Sequence, residues 1–288
     1  MSYAIRIHET GGPEKMRWEE VEVGSPGPGQ VLVRNTAVGL NFIDVYQRTG
    51  LYPNALPLTL GMEGAGVVEA IGPKVKEFKV GDRVAYANPI GSYAEVCLRP
   101  VERLVKIPTG VSDRIAAAIM LKGMTAWYLI KRTYKVRKGD TILVHAAAGG
   151  VGQILCQWAK HLGATVIGTV GSDAKAVLAK KAGCKHVIVT SREKFVDRVK
   201  EITKGKGVPV VYDGVGKDTF MDSLDCLAPL GMMASFGNAS GAVTQFNPGV
   251  LAQKGSLFLT RPTLFTYTGK REDLVKAARD LFAVVKNK

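Results

Sequence analysis

A glycine-rich loop supplies the residue types that bind phosphate. Thr141–His145 has the composition of a buried strand and runs directly into the sequence AAAGGVG (146–152), which opens a helix predicted over Val151–His161. A helix N-terminus presents free N–H groups and a positive dipole end, and glycines let a pyrophosphate approach the backbone. Ala147 stands where the usual dinucleotide fingerprint has its first glycine. The loop predicts a dinucleotide pyrophosphate site, with a plain glycine-rich turn as the alternative, and its candidate residues are Ala148, Gly149, Gly150, Val151 and Gly152.

The next predicted strand indicates which dinucleotide binds. Thr165–Val170 ends in Gly171-Ser172, without the acid that usually holds the ribose 2′-hydroxyl of NAD. Ser172 and Lys175 offer a hydroxyl and a cation, which suit a 2′-phosphate. Asp173 opposes this interpretation, although it also suits the first turn of a helix, and Lys175 is alternatively a solvated helix lysine. The pattern favours NADPH over NADH.

The first third of the sequence has the pattern of a compact, mostly β domain. Short runs rich in β-branched and aromatic residues alternate with the turn sequences GGP, SPGPG and GD. One short helix is predicted at Phe42–Arg48. The predicted strands are Tyr3–His8, Gln30–Val38, Gly64–Ile71, Arg83–Tyr86 and Tyr93–Leu98.

The pattern changes near residue 112. Ser112 and Asp113 suit the cap of a helix at Arg114–Leu121, and a second helix is predicted at Thr125–Arg132. Strands and helices then alternate, which implies a parallel sheet with right-handed crossovers and a doubly wound α/β domain. Its strands are Thr141–His145, Thr165–Val170, His186–Val189, Val208–Tyr212 and Met232–Phe236, with a later strand at Ser256–Thr260; the helices are Val151–His161, Ala174–Lys181, Phe195–Thr203, Asp218–Cys226 and, last, Arg271–Lys286.

Charge and composition narrow the class of protein. The 288 residues carry a net charge of +14, from 39 Lys and Arg less 25 Asp and Glu. A basic surface attracts polyanions, yet the lysines are scattered and no aromatic-interleaved basic stripe favours nucleic acid, whereas a phosphate-rich cofactor explains a local cluster. The sequence has neither a secretory signal pattern nor an apolar run long enough to span a membrane. We therefore expect a cytoplasmic protein that binds neither nucleic acid nor membrane.

The cysteines and histidines do not have metal-site or disulfide spacing. The four cysteines are far apart, and Cys156 and Cys226 lie in apolar helical patterns typical of core thiols. His145 ends a buried strand and is interpreted as a hydrogen-bonded core histidine rather than a base. The sequence has no Ser/His/Asp constellation.

Further segments carry a family resemblance. The run GLNFIDVY (39–46), continued by RTGLYP (48–53), looks like a quinone oxidoreductase signature. The sequence resembles the zinc-free quinone oxidoreductase (zeta-crystallin-like) branch of the medium-chain dehydrogenase/reductase superfamily, from its N-terminus to about Pro262. The other matching segments, in the family's order, are GMEGAG (61–66), GDRV (81–84), LKGMTA (121–126) and SFGN (235–238).

The resemblance implies an architecture. A GroES-like β catalytic domain over 1–121 would be followed by a Rossmann-type, doubly wound parallel-sheet cofactor domain over 122–255, and 256–288 would return toward the catalytic domain. The cleft between the domains would hold nicotinamide and substrate, and a homodimer is expected. The family continues beyond a final helix, so the catalytic domain of this sequence is expected to be truncated.

The resemblance also assigns site residues. Asn41, Asp44, Tyr46 and Tyr52 would lie on the substrate side, with Lys122 and Thr125 beside the nicotinamide. The cofactor would also contact Phe236, Gly237 and Asn238. Structural alternatives stay open for all of them. Asn41 could be only the N-cap of the short helix and Asp44 its first-turn acid, while Lys122 and Thr125 could begin a helix. Tyr46 and Phe236 could be core residues, and Tyr52, Gly237 and Asn238 could serve turns.

Zinc-dependent relatives carry Cys at or beside the position of Asn41 and His at Met62. A thioether is a poor ligand for catalytic zinc, so no metal is expected, and Glu63 is expected to pair with a lysine or arginine. The implied reaction is hydride transfer from NADPH to a quinone or another conjugated carbonyl. The alternatives are reduction of an enal or enone double bond, or a crystallin-like or RNA-binding role.

Overall fold

The computed structural model describes residues 2–286, and the chain divides into two compact units. Unit 1 comprises Met1–Met124 and Thr268–Lys288, and unit 2 comprises Thr125–Tyr267. The sequence had placed the corresponding boundaries after residues 121 and 255. Each unit has its own sheets.

Unit 1 is built from antiparallel strands, and in the longest of them, Gln30–Gly39, buried and more exposed positions alternate, as the period-two pattern predicts. Its strands form a five-stranded sheet, in the order β7-β3-β5-β6-β8, and a three-stranded sheet, in the order β2-β1-β4. Buried valines and aromatics, among them Val31, Val68 and Phe78, fill the core of the larger sheet. The strands are β1 (Ser2–Ile7), β2 (Arg17–Val21), β3 (Gln30–Gly39), β4 (Leu58–Thr59), β5 (Glu63–Ile71), β6 (Arg83–Tyr86), β7 (Val96–Pro100) and β8 (Val105–Lys106).

The strand predicted at Tyr93–Leu98 is displaced. Residues 93 and 94 leave the larger sheet because the backbone groups of Tyr93 serve the smaller one: the Ile5 N–H donates to Tyr93 O at 2.7 Å, and the Tyr93 N–H donates to Leu60 O at 2.9 Å. Regular pairing therefore begins only at Val96. Strands β2, β4 and β8 were not predicted.

The helices of unit 1 are α1 (Phe42–Arg48), α2 (Asp113–Tyr128), which continues across the unit boundary, and α9 (Arg271–Lys286). The prediction of two separate helices at Arg114–Leu121 and Thr125–Arg132 is wrong. The gap between the two predicted helices contains Gly123, and a Cβ at Gly123 would overlap the side chain of Leu281. The glycine therefore allows α9 to pack closely on an uninterrupted α2.

Unit 2 is a doubly wound α/β domain around a six-stranded parallel sheet. Its order is β11-β10-β9-β12-β13-β14. This is the Rossmann order, in which the order of the strands reverses between β9 and β12. The strands are β9 (Thr141–Val144), β10 (Thr165–Val170), β11 (His186–Val189), β12 (Val208–Asp213), β13 (Leu227–Ser235) and β14 (Phe258–Thr260). The helices are α3 (Gly150–His161), α4 (Asp173–Lys181), α5 (Phe195–Thr203), α6 (Phe220–Leu224), α7 (Gly249–Gln253) and α8 (Leu264–Tyr267), and a π-helical turn at Leu129–Thr133 follows α2.

One strand assigned by sequence to the returning segment lies in this sheet. Strand β14 pairs in parallel with β13, so it extends unit 2. The return to unit 1 comes later, at Thr268. Helices α7 and α8 are too short to show a helical period in the sequence, and α6 is shorter than the predicted Asp218–Cys226.

None of the helices in residues 2–286 is long and apolar enough to cross a membrane.

His145 follows β9 in the core of unit 2, as the sequence indicated. Its Nδ1 lies 2.8 Å from Thr169 Oγ1, and its Nε2 lies 2.9 Å from Ser223 Oγ. Burial lowers the pKa of His145, and the nearby Asp213 carboxylate opposes that shift. The imidazole therefore stays neutral in the folded protein at pH values where the unfolded chain protonates it.

This difference in protonation predicts that acid destabilises the folded protein through His145. Below about pH 6.5 the unfolded state binds a proton at His145 that the folded state does not bind. The free energy of unfolding should therefore fall by up to about 1.4 kcal/mol for each unit that the pH decreases. Urea unfolding across pH 5–7 measures the slope. His145→Gln should flatten it, whereas His161→Gln, on an exposed histidine, should not. Equal slopes for all three proteins would contradict the assignment.

Candidate functional site

A buried carboxylate organises the polar residues of unit 1. Glu63, the first residue of β5, is fully buried and accepts three hydrogen bonds. The donors are Lys122 Nζ at 2.8 Å, Asn41 Nδ2 at 2.8 Å and the Leu121 N–H at 2.7 Å. Burial raises the pKa of Glu63, and the Lys122 ammonium and the other donors oppose that rise. Glu63 has the cationic partner that the sequence predicted.

Small residues make room for this carboxylate. A Cβ at Gly39 would overlap both the Glu63 carboxylate and the Ala117 carbonyl. Gly39 is the last residue of β3 and pairs with Glu63 across the sheet. The close approach of β3, β5 and α2 therefore depends on a glycine at this position.

The start of α1 places two further site residues. Asn41 is the N-cap residue, and its backbone N–H donates to Asp44 Oδ2 at 2.8 Å. The Asn41 side chain also donates through Nδ2 to Glu63 and to Gly39 O. Burial raises the pKa of Asp44, and hydrogen bonds from Tyr93 and Asn41 oppose the rise. Asn41 thus links the two buried carboxylates.

An aromatic cluster lies along the same helix. Tyr46 is buried, and its ring contacts Tyr52 edge-on at a centroid distance of 5.1 Å and Phe42 at 5.4 Å. The Tyr52 N–H donates to Tyr46 O at 3.0 Å, which fixes the turn before Pro53. The five predicted residues Asn41, Asp44, Tyr46, Tyr52 and Lys122 therefore lie in one linked neighbourhood of unit 1. Glu63 and Tyr93 belong to it as well.

The residues of this neighbourhood do not suit a catalytic zinc. Met62 Sδ accepts a hydrogen bond from Gln47 Nε2 at 3.4 Å, and the Glu63 carboxylate is taken up by three donors. Within residues 2–286, no group of three His, Cys, Asp or Glu side chains could hold a metal ion. Catalytic zinc sites need three such ligands.

The glycine loop of unit 2 has the geometry of a dinucleotide site. Helix α3 begins at Gly150, and its N-cap Gly149 makes no side-chain cap, so the first N–H groups of the helix are open to an anion. A Cβ at Gly152 would overlap the Ala146 carbonyl, so this glycine permits the close approach of α3 to β9. Val151 lies in the same first turn. A cleft of about 830 Å³ opens beside the loop and is lined by Ala148 and Gly149.

Lys175 lines the same cleft from α4. Ser172 is the N-cap of α4, and its Oγ accepts the Lys175 N–H at 3.4 Å, so the hydroxyl proton remains available to a ligand. Asp173, which opposed a 2′-phosphate, forms an ion pair with Arg192 Nη1 at 2.8 Å. Its charge is therefore partly balanced by a cation from the loop after β11.

The remaining predicted cofactor residues lie elsewhere. Phe236 and Gly237 follow β13 and pack against Gly214: a Cβ at Gly237 would overlap the Gly214 backbone, and the Phe236 N–H donates to Asp213 O at 2.8 Å. Thr125 is buried in α2. Phe236, Gly237, Asn238 and Thr125 are not among the residues that line the cleft, and neither are Gly150, Val151, Gly152 and Ser172.

The sequence missed other cleft residues because they are brought in by the strand order. The carboxyl end of β12 lies beside that of β9, which adds residues after β12 and from α5 and α6. The cleft also takes Thr169, Gly171 and Thr190 from the ends of β10 and β11, Phe195 from α5, and Val215 and Thr219 from the segment after β12. Knowing that ligands bind at the point where the strand order reverses could have located Val215 and Thr219.

The fold and the loop define a two-domain dinucleotide-dependent dehydrogenase or reductase. Residues 27–109 match the model of the alcohol dehydrogenase GroES-like domain, and residues 150–282 match that of the zinc-binding dehydrogenases. A quinone oxidoreductase of Pseudomonas aeruginosa is 54% identical over 99% of this chain and 88% of its own length. A 2-haloacrylate reductase of a Burkholderia species is 50% identical over 99% of this chain and 88% of its own length.

A solved structure agrees with these relatives. The crystal structure of Escherichia coli quinone oxidoreductase complexed with NADPH is 49% identical, with a TM-score of 0.98 over 99% of this chain and 88% of that one. The chain belongs to the quinone oxidoreductases of the medium-chain dehydrogenase/reductase superfamily.

Because Glu63 and Lys122 are paired in the core, removing the charge of Lys122 alone should destabilise unit 1 more than removing both charges. Lys122→Met should destabilise unit 1 by about 3–5 kcal/mol, because it leaves a buried carboxylate without its cation. The deficit should shrink as pH falls and Glu63 takes up a proton. Urea unfolding measures both effects.

The double variant Glu63→Gln/Lys122→Met should recover much of the loss, since no charge is then buried. Lys276→Met, on an exposed helical lysine of the same unit, is the matched control. Equal, small losses in Lys122→Met and Lys276→Met would contradict this account.

Proposed function

We propose that this chain catalyses the NADPH-dependent reduction of quinones by hydride transfer, without zinc. The observation that carries the proposal is the 54% identity to a quinone oxidoreductase over 99% of the chain. The site geometry supports it, because unit 2 offers a dinucleotide loop and unit 1 offers polar groups suited to a carbonyl oxygen. The cofactor is NADPH, in keeping with the NADPH complex of the E. coli relative.

The residues of unit 2 fit this cofactor. The open N–H groups at Gly150, Val151 and Gly152 would bind the pyrophosphate, and Ser172 and Lys175 would bind the 2′-phosphate. Phe236, Gly237, Asn238 and Thr125 are proposed to contact the cofactor at greater distance from the phosphates. When bound, NADPH supplies the hydride.

The residues of unit 1 are proposed to bind and polarise the substrate. Tyr52 carries a hydroxyl donor, and Lys122 carries a positive charge that is only partly exposed. Both N–H bonds of the Asn41 side chain are already donated to Glu63 and Gly39 O, so Asn41 serves to hold the carboxylate that pairs with Lys122. Donors held in place before the reaction stabilise the negative charge that develops on a carbonyl oxygen. The ring contacts of Tyr46 and Tyr52 provide an apolar surface of the kind that packs against a flat substrate.

A second candidate is the reduction of an activated carbon–carbon double bond. The 2-haloacrylate reductase, at 50% identity, favours it. Hydride addition to such a bond also puts negative charge on a conjugated oxygen, so the same donors would serve. Crystallin-like or RNA-binding roles have no comparable support.

We further propose a cytoplasmic homodimer that does not bind nucleic acid. In the described part of the chain, β14 is an edge strand of the unit 2 sheet, and Phe258 on it is 57% exposed. An edge strand with an exposed aromatic side chain can pair with the same strand of a second copy.

The proposal predicts acceptor preference and metal independence. Steady-state NADPH oxidation should be fast with quinones and slower with enones and 2-haloacrylates, and a strong chelator should not change the rate. Metal analysis of the purified protein should find no stoichiometric zinc. A preference for 2-haloacrylates would favour the second candidate, and activity lost with one zinc per chain would overturn the metal-free mechanism.

Cofactor choice gives a second prediction. Lys175→Ala should weaken NADPH binding by about 1–3 kcal/mol, the scale of a hydrogen bond to a charged group, and leave NADH binding almost unchanged. Fluorescence titration with each cofactor measures this. Lys181→Ala, at the far end of α4, is the matched control. Equal losses for NADPH and NADH would remove Lys175 from the 2′-phosphate site.

A further inference from the structure

The polar neighbourhood of unit 1 contains more buried acidic side chains than basic ones. Glu63 and Asp44 are both buried, at 0% and 4% exposure, and Asn41 bonds to both of them. The Lys122 ammonium contacts Glu63 at 2.8 Å. The two hydrogen bonds to Asp44 come from neutral groups, the Asn41 N–H and the Tyr93 hydroxyl. The Lys122 ammonium is therefore bound to Glu63, and the hydrogen-bond donors that reach Asp44 are both neutral.

The hydrogen bonds of Asp44 are also one-sided. Both donors reach Oδ2, at 2.8 Å from Asn41 and 2.7 Å from Tyr93, whereas Oδ1 is buried with no hydrogen-bond partner. Gln47 Oε1, one turn further along α1, is likewise buried without a partner. An ionised carboxylate can accept about four hydrogen bonds, and leaving one oxygen bare in the core is costly. The site therefore favours the neutral acid at Asp44.

Tyr93 is the more exposed of the two hydrogen-bond donors to this acid. It is only partly buried, unlike Asp44, and its ring packs against Gly61, where a Cβ would overlap it. The loop that carries it is held by Arg99, whose guanidinium donates to Pro89 O and Ile90 O at 3.0 and 3.1 Å. Its hydroxyl is consequently fixed against Asp44.

We propose that Asp44 holds a proton in the resting enzyme and that Tyr93 is a further catalytic residue, which passes this proton to the substrate oxygen. The proposal rests on the proposed quinone reductase function. Hydride addition reduces the quinone and leaves one oxygen negative. In the resting enzyme the Tyr93 hydroxyl donates to Asp44 Oδ2. When the hydroxyl turns to the negative substrate oxygen, its O–H bond breaks as a new O–H bond forms there. The hydrogen bond to Asp44 is then reversed: the proton of Asp44 moves from Oδ2 to the Tyr93 oxygen, and the Asp44 carboxylate regains a proton from solvent.

The surrounding charges set the direction of the pH effect. Asp44 faces Tyr93 and Asn41 and feels Lys122, which lowers its pKa, while burial raises it. Glu63 and Arg48 act on Tyr93 with opposite signs, and burial raises the pKa of Tyr93. Since the neutral form of Asp44 is the active one, turnover should fall as pH rises through the pKa of Asp44.

The test compares Tyr93→Phe and Asp44→Asn with the unmodified protein. Tyr93→Phe keeps the ring against Gly61, so it should fold, and thermal unfolding checks this. Its kcat with a quinone should fall about 100-fold, at the lower end of general acid catalysis, with unchanged NADPH affinity and no alkaline limb in its pH profile. Tyr3→Phe, on a partly exposed tyrosine of the same unit, is the matched control and should behave as the unmodified protein.

A second measurement is independent of turnover. Near neutral pH, the infrared spectrum of the cofactor-free protein should contain a band of a neutral carboxyl group. This band should disappear in Asp44→Asn. Quinone reduction with an unchanged rate and pH profile in Tyr93→Phe, or no such band, would overturn the relay. If the unmodified protein reduces no quinone but the band is present, the proposed function fails while the protonated Asp44 stands.

Discussion

The buried pair of Glu63 and Lys122 is the interaction on which unit 1 depends. It joins β5 to the middle of α2, and through Asn41 it fixes the start of α1. A buried ion pair is rarely the most stabilising choice, since desolvation offsets much of the attraction. Its value here is positional, because the same carboxylate holds the Asn41 amide at the start of α1 and orients the Lys122 ammonium, a proposed substrate-binding group.

The close backbone packing of unit 2 depends instead on glycines, which have no side chain. Gly152 brings α3 against the loop after β9, and Gly237 brings the segment after β13 against Gly214. At both places any Cβ would overlap a backbone atom, which cannot move aside as a flexible side chain can. The phosphate loop is therefore held rigidly by close backbone contacts, whereas the polar residues of unit 1 are held by hydrogen bonds. The two sites differ in how each tolerates substitution.

Much of the fold could be predicted because local patterns agreed with it. Helix α1 and helix α9 were predicted with their exact bounds, and so was the alternation of strands and helices in unit 2. The split of α2 into two predicted helices shows where local patterns fail. Gly123 lies in the predicted gap, but its role is to admit Leu281, which lies far away in sequence. Glycine propensity cannot distinguish a helix break from a close contact.

The site was predictable to the same extent. Asn41, Asp44 and Lys122 stand out by residue type and by the family resemblance, and the structure brings them together around Glu63. Tyr93 gave no signal, because its contact with Asp44 joins residues from a loop and a helix that no periodic pattern relates. Long-range hydrogen bonds of this kind depend on how the loops close.

The contact between Gly123 and Leu281 also bears on how the two units can fold. Unit 2 is continuous in sequence, whereas unit 1 combines two segments that lie on either side of it, Met1–Met124 and Thr268–Lys288. Until Leu281 packs on α2, the face of α2 around Gly123 stays uncovered. Contacts between segments this far apart in sequence close slowly, so partly folded forms of unit 1 expose apolar surface that favours aggregation.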